Sequence, residues 1–353
     1  MVSESTWGVL AATAAPLAMA SGFVIWDKRW VGGSGFTLNA YKCALASVGF
    51  FIVVSAMGNI NADGDGSVTR TNRSLLVLSG FIGIVLGDTA WLIALKRIGA
   101  HRTIVVDAIK PFVSALFSLA ILGEKLTAVQ IVGMIVCLAG VSIVSLERAK
   151  PSDAGGGGEI EEKEEDSGRK SGAAVEDVTI DVEKSADKND SNSMTAPPLW
   201  TGYMYSAANV LLDVYGAILT KQNGIAMDTW QVCWLRFGSS GLMLLGILVA
   251  ARRCKLLVSS SSSSPQWATF PSIGASGYGW ISLGVALTTF LCPALQNFAI
   301  FKIDLGIFST LTSLTPLFSL PLCRIIKKEK ISNRAIVGTV VAVGGVVILY
   351  ATE

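Results

Sequence analysis

Six ionisable residues stand inside stretches that are otherwise apolar: Lys42, Asp88, Asp107, Lys110, Asp213 and Arg236. Three are acids and three are bases. A charge held in hydrocarbon costs a few kcal/mol or more, so such groups pair with one another or line a path for polar solutes. Asp107 and Lys110 are three residues apart, which on a helix places them on one face and within reach of each other. Pro111 beside them removes a backbone hydrogen bond and disturbs the helix that carries it. Asn209 and Asn297 add amides in similar surroundings, suited to holding a solute or a neighbouring helix. Trp91, Trp234, Tyr41 and Tyr215 could stack on a ligand or anchor in the membrane interface.

Other chemistries find little support. His101 is the single histidine and sits in a basic turn with Lys96, Arg97 and Arg102. Neither a zinc-protease helix motif nor a nucleophile elbow is present, so the pattern is not that of an enzyme. The six cysteines include no Cys-x-x-Cys pair, which argues against a zinc site or a disulfide framework. No cofactor and no metal is expected. A divalent-cation path would favour several carboxylates at mid-depth; the charges here are balanced instead.

The charges must be positioned by helices in a bilayer. Half of the chain is hydrophobic, 15% is charged and the mean hydropathy is +0.56; a soluble domain carries roughly a quarter charged residues. Apolar windows long enough to cross a membrane recur along the whole sequence. We read ten spans, near 7–26, 36–57, 74–95, 103–122 and 127–146, then 199–220, 230–250, 277–300, 305–325 and 335–350. Very short connections after spans 3, 4, 8 and 9 make those neighbours antiparallel. Between the two sets, residues 150–198 carry four consecutive glycines and the acidic run Glu159 to Asp166, a composition that buries no core and reads as disordered. The expected organisation is therefore 1–149, a linker 150–198, and 199–353.

The two sets are copies. Ile104 to Leu146 recurs without a gap as Ser309 to Ala351, with twelve of 43 positions identical. Pro111, Ser114, Glu124, Lys125, Gly133 and Gly140 return as Pro316, Ser319, Glu329, Lys330, Gly338 and Gly345, every shift being 205 residues. A set of five helices crosses the membrane an odd number of times, so its copy sits upside down. The expected fold is an all-α integral membrane protein of about ten transmembrane helices in two inverted five-helix repeats. Inverted repeats are the usual architecture of carriers that open alternately to each side. With Lys42, Lys110 and Arg236 of the spans and Lys163, Arg169, Lys170, Lys184 and Lys188 of the linker set aside, fifteen Lys and Arg residues follow odd-numbered spans (counting Arg324 at the end of span 9) and five follow even ones. The positive-inside rule thus puts the linker on the cytoplasmic side.

The run Leu122-Gly123-Glu124-Lys125-Leu126-Thr127, with Pro111, Gln130, Gly133 and Gly140, resembles the end of an EamA repeat. The segment Trp91 to Lys96 is similar too, and two such repeats resemble the drug/metabolite transporter superfamily. In the second copy Lys327-Lys328 replaces the Leu-Gly that precedes the glutamate. The resemblance implies a secondary transporter of small organic metabolites working by alternating access. It fixes no substrate, since members carry amino acids, nucleotide sugars, phosphorylated sugars and other solutes. A receptor or scaffold that keeps the carrier fold without transport is the alternative. The expected partners are the lipid bilayer and a small molecule, with a proton as a candidate co-passenger through Asp88, Asp107 or Asp213; nucleic acid is not among them, and the chain is a monomer or homodimer.

Counting residues from the span ends puts Lys42, Asp88, Asp107 and Lys110 near one mouth, and Asp213 and Arg236 near the other. The expectation is two gates, each an ion-pair network that breaks when its side opens. Glu124 and Glu329 sit at tight turns before Thr127 and Ser332, where a structural role is expected.

Overall fold

A computed structural model describes residues 3–26, 29–30, 33–58, 68–147, 198–258, 266–327 and 333–350. Most of the linker 150–198 and the turn carrying Glu329 and Ser332 lie outside these residues. Helices alone make up the regular structure of the described residues: α1 (Glu4–Trp26), α2 (Gly35–Ala56), α3 (Arg70–Gly80), α4 (Asp88–Asp107), α5 (Lys110–Phe117) and α6 (Ala128–Glu147), then α7 (Leu199–Gly224), α8 (Thr229–Val258), α9 (Ala275–Val285), α10 (Cys292–Ile300), α11 (Leu305–Thr312), α12 (Thr315–Lys327) and α13 (Asn333–Tyr350). Wide π-helical turns, Phe81–Gly87 and Ala286–Leu291, join α3 to α4 and α9 to α10. A third, Ser118–Leu122, extends α5.

Six helical stretches are long and apolar enough to cross a membrane: Glu4–Ile25, Gly35–Ala56, Arg70–Leu95, Ala128–Ser145, Thr229–Arg253 and Ala275–Ile300. Lys110–Leu122, Leu305–Ser319 and Asn333–Leu349 are apolar but shorter. The shortfall in two of these has a local cause. Two non-helical residues, Ala108–Ile109 and Ser313–Leu314, break the helix just ahead of Pro111 and Pro316, and a proline fits at the first turn of the helix that restarts. α7 is long, but Asp213 and Lys221 lower its hydropathy.

The 205-residue echo is structural as well as sequential. The π turn Phe81–Gly87 and the break before Pro111 recur at that shift as Ala286–Leu291 and the break before Pro316. The stretch Asp88–Asp107 also reverses direction, because Trp91 Nε1 donates to Asp107 Oδ2 at 2.8 Å; sixteen residues of straight helix would separate them by about 24 Å.

Packing relates the two sets by a local two-fold axis. At Gly8 a side chain would strike Lys302 and Ile303, and at Gly202 it would strike Arg97 and Ile98. Gly22 lies against Gly284 and Thr288, and Gly216 against Ser79 and Gly83. In each case the second contact is the first moved by one repeat: 194 residues for the opening helix, 205 for its neighbour. The opening helix of each set therefore packs on the third span of the other. α6 and α13 pair with opposite polarity, Gly133 meeting Gly345 while Gly140 meets Gly338. Glycine permits this backbone approach, and dispersion rather than water drives such contacts in lipid. α2 and α8 pair the same way, with Ser47 Oγ donating to Phe237 O at 2.9 Å and Gly241 against Cys43.

Candidate functional site

The six charges meet. Lys110 Nζ binds Asp213 Oδ2 at 2.8 Å, joining the start of α5 to the middle of α7. Lys42 Nζ lies 3.9 Å from Asp88 Oδ2. Asp107 accepts from Trp91, and Arg236 Nη1 donates to Asn297 Oδ1 at 3.1 Å. Arg236 and Asp213 also converge on one point: Nη2 of the first and Oδ1 of the second lie 3.6 and 3.7 Å from where a side chain on Gly83 would begin.

This corrects the two-mouth arrangement. Asp213 was expected on the opposite side from Lys110 and is its ion-pair partner. Arg236 shares an electrostatic neighbourhood with Asp88 as well as Asp213. Depth counted from apolar run ends carries an error of several residues per helix, and on antiparallel helices those errors add to on the order of 10 Å. Asp213 is close to the midpoint of the 26-residue α7. The Asp107–Lys110 pairing within one helix face gives way as well. The break at Ala108–Ile109 turns Asp107 toward Trp91 and Lys110 toward α7.

The side chains of Asp88, Lys110 and Asp213 are 37, 28 and 37% exposed. They come from three different helices that converge, and each keeps an accessible edge beside its ion-pair contact. Asn209 and Asn297 are buried, and their amides serve the scaffold first. Asn209 donates to Gly87 O at the end of the π turn, at 3.0 Å. Asn297 donates to Pro293 O at 2.9 Å and leaves its carbonyl to orient Arg236. The wide turn Phe81–Gly87 is itself held by amides, since Asn39 donates to Ile84 O at 3.2 Å. Among the described residues, Arg236 Nε, Asp107 Oδ1 and Asn209 Oδ1 are buried without a hydrogen-bond partner.

The two-fold relation shows how lopsided the site is. Lys42 and Arg236 are counterparts, 194 residues apart. The counterpart of the Lys110–Asp213 pair is Thr315 with Met19, where Thr315 Oγ1 faces Met19 Sδ at 3.9 Å. One half of the interior carries an ion pair where the other carries a hydroxyl and a thioether.

Two further groupings lie toward the ends of the bundle. At one, Tyr41 and Tyr278 rings sit 5.8 Å apart with Trp30 5.7 Å from Tyr41, and Tyr41 Oη bonds Ser282 Oγ at 2.6 Å. Ser34 and Thr37 there donate to the carbonyls of Trp267 and Thr269 at 2.6 and 2.7 Å. At the other, Glu124 does more than shape its turn. Gly123 in the left-handed region (φ 73°) sets the turn. Glu124 then reaches the opposite repeat, pairing with Lys221 at 2.5 Å and accepting from Leu305 N at 2.8 Å, the first amide of α11. Lys221 also donates to Ile303 O at 2.6 Å. Helix-end carboxylates are favoured at such amides. Spacing marked Glu124 as a turn residue; its cross-repeat partners are not visible in the local sequence.

Fold and site define an integral membrane protein built from two helical repeats around a charged interior. A family model described as the EamA-like transporter family matches residues 6–146 and 200–351, and the chain belongs to that family. A solved crystal structure aligns with a TM-score of 0.66 at 15% identity, over 98% of this chain and 96% of that one; at that identity the likeness speaks for the fold alone. No curated protein matches the sequence.

Proposed function

We propose that the protein is a secondary transporter that carries a small organic metabolite across a membrane by alternating access, on ten spans in two inverted five-helix repeats. The observation that carries this reading is the meeting of Lys42, Asp88, Asp107, Lys110, Asp213 and Arg236 between repeats of a transporter family. Reciprocal antiparallel packing of α6 on α13 and of α2 on α8 supports the inversion. The cluster acts as one central site in place of two gates. Closure falls to the end groupings: the Trp30–Tyr41–Tyr278 rings at one end and the Glu124–Lys221 latch at the other. Both join elements of different repeats, as a bistable closure between rocking halves requires.

The test is counterflow in proteoliposomes loaded with single members of a panel of amino acids, nucleotide sugars and sugar phosphates. Accumulation of one labelled member, abolished by Lys110→Met at equal protein incorporation, is the expected result. Absence of counterflow for every member, or full counterflow by Lys110→Met, contradicts the reading.

A further inference from the structure

We infer that the exposed face of α8, at its C-terminal end, seats an anionic phospholipid. Its head-group phosphate lies on Arg252 and Arg253, and one acyl chain runs along Leu242, Leu245 and Val249. The seat is sixteen residues, about 24 Å, along the helix from Arg236, and it stands whether or not the protein transports.

The place suits a lipid. The apolar stretch of α8 runs from Thr229 to Arg253, and the helix continues to Val258. Arg252 and Arg253 therefore stand where hydrocarbon gives way to head groups, and both are exposed. Leu242, Leu245 and Val249 are 74, 40 and 52% exposed. At about 100° per residue, these three and the two arginines fall within about 100° of arc on one helix face. Leu242 to Arg253 spans about 16 Å, the depth of one leaflet of a hydrocarbon core about 30 Å thick. Gly246, beside this stripe, has nothing within 4 Å of where a side chain would begin.

Arginines at a membrane boundary commonly snorkel toward water. Arg252 is held instead. Its Cζ stands over the Phe270 ring at 5.7 Å, and Phe270 packs edge-on to Trp30 at 6.3 Å. Stacking occupies the guanidinium face and leaves its N–H edges free, and those edges grip phosphate oxygens in pairs. Among the described residues, no carboxylate lies within ion-pair distance of Arg252 or Arg253. Arg29, at the same end, is the contrasting case. It also stands over a ring, Trp280, at 5.2 Å, but it donates to Ile25 O and so closes its own helix.

The chemistry of the occupant follows from charge and shape. Two adjacent guanidiniums without an internal counter-charge favour a head group of net negative charge over a zwitterionic one. This is also the end that the positive-inside rule assigns to the cytoplasm, where the leaflet is anionic. The apolar stripe favours a lipid over a free phosphate or an acidic peptide, since neither of those gains from Leu242, Leu245 and Val249.

The experiment is native mass spectrometry of the purified full chain, titrated with phosphatidylserine, phosphatidylglycerol or phosphatidylcholine of matched acyl chains. Both anionic lipids should bind at least tenfold more tightly than phosphatidylcholine. Arg252→Gln with Arg253→Gln should remove that preference and leave the melting temperature within a few degrees of wild type. Phe270→Leu keeps every charge and should cut the preference about threefold; it carries the test if the double variant does not fold. Arg70→Gln, which removes an exposed arginine at the other end, should leave the preference unchanged. Equal binding of all three lipids, an undiminished preference in the folded variants, or the same loss in Arg70→Gln overturns the inference. So does displacement of the lipid by millimolar glycerol 3-phosphate, which would make the seat a soluble-phosphate site. Displacement by a synthetic peptide of residues 157–168 would give the seat to the acidic linker and overturn it as well.

Discussion

The two-fold relation offers a way to remove the Lys110–Asp213 pair without leaving a hole. The opposite half already contains the neutral solution, Thr315 with Met19, on the equivalent helices. Grafting it as Lys110→Thr with Asp213→Met should leave the fold intact. The pair is 2.8 Å long, with side chains 28 and 37% exposed. Exposed pairs are worth about 0.2–1 kcal/mol and breaking a fully buried one costs about 3–5 kcal/mol. An intermediate site gives about 2 kcal/mol for either single variant, each of which strands the other charge. The double variant should cost less than about 1 kcal/mol, because no charge is left alone. The coupling is then about 3 kcal/mol. At about 2 °C per kcal/mol for a chain of this size, each single lowers the melting temperature by about 4 °C and the double by no more than about 2 °C. Thermal unfolding of the four purified proteins in one detergent measures this. Additive losses, with the double variant near 8 °C below wild type, would show that the two side chains do not depend on each other and refute the central-cluster geometry.

Three further outcomes follow from the packing and the latch. A leucine at Gly345 would drive into the Cys137 backbone, so Gly345→Leu should yield no monodisperse protein by size exclusion, whereas Gly344→Ala, facing open space, should stay within about 0.5 kcal/mol of wild type. Glu124→Gln removes the charge from a contact whose side chains are 12 and 16% exposed, and should lower stability by about 2 kcal/mol, read as a melting shift that Lys221→Met does not deepen when added. Burial, followed by the Glu124 carboxylate, pushes the Asp304 carboxyl above its usual range, with Lys221 acting against it. The folded chain then binds that proton more readily than the unfolded one, so the penalty is present at neutral pH and relieved as pH falls toward the carboxylate range. Asp304→Asn should accordingly raise the melting temperature most at pH 7–8, with the gain over wild type shrinking as the buffer is acidified; a gain that grows with acid would contradict that sign.

Much of the scaffold was legible because it is periodic or repeated. Apolar windows located the helices, and the 205-residue echo marked the copy whose π turn and pre-proline break recur in the structure. The charges inside apolar stretches were legible as unusual for the same reason. Their grouping was not. It depends on which helices meet across the two-fold axis, and the opening helices follow a 194-residue shift that the strong echo of the closing helices conceals. Lys110 thus finds Asp213, 103 positions away, in place of Asp107 three positions away. Glu124 shows the same limit: Gly123 and the following helix start mark a turn, but Lys221 and Leu305 N belong to the other repeat. Asn209 and Asn297 were legible as polar side chains in apolar surroundings, and their use as struts for π-turn and proline carbonyls emerges only from the backbone that they serve.

The most direct test of the account is solute flux through the grafted variant. Proteoliposomes containing wild-type protein should accumulate the transported panel member, and those containing Lys110→Thr with Asp213→Met, folded and incorporated equally, should fall at least a hundredfold toward the protein-free leak. Flux by the folded graft at the wild-type rate would mean that the solute does not pass the charged cluster, and the central claim would be wrong.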